Sequence, residues 1–124
     1  MRLARYIFLA AGLYGIAVLA PQYFLADVVA EQSGPINHPE LFYGFIGVAL
    51  SWQVLFLIIA RDPVRFRLAM LAAILEKLAF GLPVLALYFQ DRFPQPTLIF
   101  GAIDLLWGAL FVIAFIRTPR QATG

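Results

Sequence analysis

Glu76 and Lys77 stand side by side near the middle of Met70–Phe89, MLAAILEKLAFGLPVLALYF, a run that is otherwise uncharged. A run of about 20 apolar residues is the length that crosses a bilayer. An ionisable side chain near its centre costs at least about 2.5 kcal/mol on insertion scales. Asp104 adds a second acid within the apolar run Thr97–Ile116, and Gln53 adds a midplane amide within Leu41–Ala60. Groups of this kind either serve a proton, ion or ligand, or clasp two helices as a structural ion pair. One lysine compensates one carboxylate. With two acids the charge balance predicts a carboxyl that keeps its proton, or a proton and the lysine shared by both. At 1.5 Å rise per residue the two acids differ in depth by roughly a turn or two. An acid, lysine, acid ladder is therefore expected rather than a direct carboxyl pair.

The elements that must hold these groups are transmembrane helices. The 124 residues are 63% hydrophobic and 13% charged, against about 45 to 50% apolar in soluble domains, and the mean hydropathy is +0.87. The pattern predicts an all-α, four-helix transmembrane bundle occupying residues 1–124 as one domain, with helices at about 6–25, 41–60, 68–89 and 97–116. The first run follows Arg2 and Arg5 like a secretory signal. Its apolar core is longer than the usual 7 to 15 residues, and Pro21 follows the only small-residue site at Ala20, so it is read as a retained anchor.

Stepping at 100° per residue assigns faces. In the first helix Ala4, Gly12 and Gly15 permit close approach of a neighbour. In the second, Gly44, Gly47, Ser51, Leu55 and Ile58 form a stripe read as a packing seam, with Gln53 on the opposite side. In the third, Ala69, Ala72, Ala73, Ala79, Phe80 and Pro83 surround Glu76, so Glu76 is expected to point into the bundle with Lys77 at that face's edge. Pro83 lacks a donor for the Ala79 carbonyl, and a kink is expected there. In the fourth, Asp104 shares a face with Thr97, Phe100, Gly101, Trp107, Gly108, Phe111 and Phe115.

Arg2, Arg5, Arg61, Arg65, Arg67, Arg117 and Arg120 fall on one side of such a bundle, whereas the opposite connectors hold only Arg92. The positive-inside rule then gives N-in, C-in and a multi-pass location in the cell inner (cytoplasmic) membrane. Tyr23, Tyr43 and Tyr88 fall where an outer aromatic belt belongs. The absence of cysteine excludes thiol chemistry and thiolate metal sites. His38, the only histidine, precedes Pro39 and Glu40 and reads as a helix start. No metal, no cofactor and no nucleic-acid partner is expected. No Gly-rich phosphate loop and no Ser-His-Asp set is present in the sequence.

The segment HPELFYGFIGVAL, with an acid before an aromatic and Gly-rich stretch, resembles the start of the second helix in the DoxX-like group of small four-helix bacterial membrane proteins. The likeness continues through the Arg-bearing loop and the acid beside glycine in IDLLWG. The resemblance implies the four-helix architecture and, for some members, association with respiratory or oxidoreductase complexes. It implies no uniform chemistry.

Three functional expectations follow. The first is a non-catalytic module or partner subunit of a membrane complex, with the polar centre Glu76, Lys77, Asp104 inside the bundle and membrane lipid, a protein partner or a second copy as its neighbours. The second is a lipid- or sterol-like ligand-binding protein or isomerase, in which Glu76 and Asp104 are the candidate catalytic acids. Phe80, Phe100, Trp107 and Phe111 would then wall a pocket for an apolar small molecule, and Gln53 would belong to the polar centre. The third is a small proton-coupled transporter. The uncharged first helix and strong arginine bias disagree with the small drug exporters of similar size.

Overall fold

The computed structural model describes residues 2–90 and 95–120. Helix α1 (Arg2–Leu19) runs into a 3₁₀ turn at Ala20–Tyr23. A short helix α2 (Ala26–Ser33) follows, then α3 (Pro39–Arg61), α4 (Ala69–Phe89) and α5 (Gln95–Arg117). α1 with its 3₁₀ turn, α3, α4 and α5 are each long and apolar enough to cross a membrane. The protein is thus all-α, with four spans, as its hydropathy pattern predicts. Between 22% and 33% of the most apolar window of each span is buried inside the protein. The remaining faces present Leu13, Val48, Leu75, Leu82 and Leu106 outward, where lipid is the solvent that accommodates them.

Local chemistry explains the boundaries. Pro21 has no N–H to return to Ala17, so the α-helix gives way to the 3₁₀ turn. The Gln22 side chain then donates from Nε2 to the Val18 carbonyl at 3.1 Å. In the connector after the first span, ADVVAEQS folds as α2, with Asp27 in its first turn, where the helix dipole favours an acid. It ends at Gly34, whose φ of 97° needs a residue without a Cβ. α3 begins at Pro39 behind His38, with Nδ1 of His38 3.4 Å from Oε1 of Glu40. α3 ends at Arg61, ahead of Pro63, and α4 runs unbroken through Pro83, which faces outward. Of the second connector, residues 91–94 lie outside the described residues, and so does the expectation for Arg92.

The two ends of the bundle are built differently. At the end that carries Arg2, the Arg61–Leu68 turn and Arg117, the four spans share an apolar core of Phe8, Phe56, Phe111, Ile59, Met70 and Ala114. Phe8 stacks on Phe111 at 4.3 Å between centroids, and Phe56 meets Phe111 edge-on at 5.0 Å. Arg67 closes this end. Its Nε donates to the Thr118 carbonyl at 2.7 Å and its guanidinium lies 3.8 Å from the Phe115 ring centroid. The Thr118 hydroxyl donates back to Ala114 O at 2.7 Å. The start of the C-terminal tail is thereby tied to the bundle.

Candidate functional site

α1 packs closely on α3 and α4 on α5, while α3 and α4, though consecutive spans, barely touch. Glycine makes both close pairings. A methyl at Gly12 would stand 2.7 Å from Leu57 Cδ2, and one at Gly15 would overlap the Gln53 carboxamide. On the other pair a methyl at Gly81 would lie 2.6 Å from Leu105 and 3.2 Å from the Gly101 carbonyl. Small residues let backbones approach in lipid, where no hydrophobic force between helices exists. Toward the α2 end, the space between the two pairs is a cavity of about 440 Å³, within the range of small-molecule sites.

The cavity is apolar around most of its wall and polar where the spans meet at mid-depth. Val18, Val28, Val29, Phe45, Phe80 and Phe100 supply the apolar lining, and Tyr14, Gln22, Gln53, Glu76, Lys77 and Asp104 the polar groups. Phe45 and Phe80, with ring centroids 6.1 Å apart, face each other across the α3–α4 side.

Lys77 is the hub of the polar groups. Its Nζ lies 3.5 Å from Asp104 Oδ1 and 3.6 Å from Glu76 Oε2. The expected acid, lysine, acid ladder is thus formed. Its stem passes Gly108, where an added methyl would sit 3.4 Å from Lys77 Cβ, and its ammonium is 5.2 Å from the Phe56 centroid. The side chain of Lys77 is 5% exposed, against 16% for Glu76 and 19% for Asp104.

That order corrects the expected faces. Lys77, not Glu76, occupies the centre of the packed side of α4, which comprises Met70, Ala73, Lys77, Gly81 and Val84. Of the residues that marked the expected inner face, Ala72, Ala79 and Pro83 are exposed, whereas Ala73 is buried, Ala69 packs on the core and Phe80 lines the cavity. The reason is that alanine is as compatible with lipid as with a neighbour, so an alanine stripe does not by itself define a contact. The same correction applies to α3. Its packed side is Ile46, Ala49, Gln53, Phe56, Ile59 and Ala60, while Gly44, Ser51 and Ile58 are exposed. Of the expected seam only Gly47, near the Tyr23 hydroxyl, and Leu55, against the core, keep contacts, and the buried amide marks the true interface. On α1 the expected face is the packed one, with Ala4, Gly12 and Gly15 buried. On α5 Gly101, Gly108 and Phe111 are buried, while Phe100 of the expected face is exposed and the Thr97 side chain lies outside the described residues.

The structure brings Gln53, Glu76, Lys77, Asp104 and Phe80 to one cavity. Trp107 stands beside it, 5.9 Å from the Tyr14 ring and 6.4 Å from Phe111. Phe111 itself is buried in the apolar core rather than in the lining. Tyr14, Gly15, Gln22 and the valines of α2 were not foreseen as site residues. Gln22 carried a detectable signal, as a polar residue just past Pro21; the valines carried none, because their role depends on α2 folding over the cavity.

No known protein family matches the sequence, and no curated protein or solved structure matches it either. What is established is a small four-span integral membrane protein with a buried Lys77–Asp104 salt bridge.

Proposed function

We propose that the protein is a membrane-embedded binding module for an apolar small molecule that carries one polar end. The observation behind this reading is the cavity of about 440 Å³ that has Glu76, Lys77 and Asp104 in a largely apolar wall. A structural clasp alone would bury the triad in tight packing. Here the same residues that join α4 to α5 also border open volume. Lys77 engages both carboxylates, which suits a fixed electrostatic role better than that of a free general base. The reading favours the ligand-binding expectation over catalysis.

The α2 end, where the cavity lies, carries few positive charges, and the arginines crowd the opposite end. By the positive-inside rule the ligand would enter from the outer leaflet side. With the resemblance to the DoxX-like group goes a location in the bacterial inner membrane, which belongs to the same proposal and rests on span number, chain size and arginine asymmetry.

Photolabelling tests the binding role. A long-chain alcohol bearing a diazirine, in proteoliposomes, is expected to label peptides containing Val18, Val28 and Phe100, and excess unlabelled alcohol should remove that label. Labelling confined to outward residues such as Val48 and Leu75, insensitive to competitor, would refute it.

A further inference from the structure

The polar wall of the cavity has more acceptors than donors. Gln53 is 2% exposed; its Nε2 donates to Ala49 O at 2.9 Å, and its Oε1, packed against Gly15, receives no hydrogen bond among the described residues. Glu76 Oε2 is also buried and accepts none, its nearest cation being Lys77 Nζ at 3.6 Å. A buried acceptor without a donor carries a desolvation cost that a partner would remove. The lining contains two carboxyl groups, Glu76 and Asp104, and one ammonium, Lys77. With both carboxylates ionised the wall carries an excess negative charge in a setting of low dielectric constant.

Resting on the binding role proposed above, we infer that the polar end of the ligand is a protonated amine bearing N–H groups. Its charge balances the second carboxylate, and its N–H groups donate to the carboxyls of Glu76 and Asp104 that line the cavity. The hydrocarbon part lies along Val18, Val29, Phe80 and Phe100. A quaternary ammonium has the charge without the N–H, an alcohol has a donor without the charge, and a carboxylate adds a third negative group.

Four probes with the same dodecyl chain separate these cases: dodecylamine, dodecyltrimethylammonium, dodecanol and laurate. Each competes against the photoreactive alcohol in nanodiscs of zwitterionic lipid, with dose expressed as mole fraction in the lipid. Dodecylamine is expected to displace the label from the lining peptides at about tenfold lower mole fraction than dodecanol or the quaternary ammonium, as charge-assisted hydrogen bonds imply, with laurate weakest. Glu76→Gln, close to the original volume, should remove most of the amine's advantage over dodecanol. An amine no better than dodecanol or laurate, with lining label still displaced, would overturn the amine assignment and leave the cavity reading standing. A quaternary ammonium equal to the amine would overturn N–H donation. Absence of any lining label would instead remove the binding role itself.

Discussion

The ammonium of Lys77 lies 3.5 Å from the carboxylate of Asp104 on the neighbouring span, and the lysine is the more deeply buried of the two. The pair lies where the closely packed half of the bundle meets the cavity. It therefore joins α4 to α5 and sets the charge of the cavity wall at once.

Breaking this pair from one side is expected to cost more than removing it. Lys77→Met should destabilise the bundle by about 3 kcal/mol, since it leaves two carboxyls without a cation. Adding Asp104→Leu to Lys77→Met should recover at least about 1 kcal/mol, because only one acid then remains. Reversible unfolding in mixed micelles measures both. Strictly additive losses would show that the pair is not coupled.

Gly15 and Gln53 make a close approach between α1 and α3. Gly15→Ala should cost about 1–3 kcal/mol through overpacking, since the added methyl overlaps the buried carboxamide. Gly44→Ala on the outward side of α3, where an added methyl meets nothing within 4 Å, should change stability by less than about 0.5 kcal/mol. Equal losses at the two positions would contradict the assigned faces.

Between α4 and α5, Gly81→Ala places a methyl 2.6 Å from Leu105 and 3.2 Å from the Gly101 carbonyl. A loss of about 1–3 kcal/mol is expected, and Leu105→Ala in the same chain should relieve part of it. If shortening Leu105 gives no relief, the backbone contact with Gly101 dominates.

At the arginine end, Arg67→Lys should lower stability by about 1–2 kcal/mol, because lysine cannot combine the Nε bond to Thr118 O with the planar cover over Phe115. Arg65→Lys, at an exposed position, should shift stability by less than about 0.5 kcal/mol. Thermal unfolding of the two variants side by side separates a structural arginine from one that serves orientation.

The four spans, the helix start at Pro39 and the ladder of two acids around one lysine were all legible in the sequence. Each depends on local quantities: hydropathy over a span length, the missing N–H of proline, and the count of opposite charges. The choice of buried face on α3 and α4 was not legible, because in lipid a small apolar residue gains nothing decisive from burial. Only the packed structure shows that Gln53 and Lys77 are at the centres of their faces and that Gly44 and Ser51 are outside. The cavity likewise exists only in three dimensions. It arises because the spans associate as α1 with α3 and α4 with α5, leaving space between the pairs beyond their shared aromatic core, and no single helix carries a record of that gap.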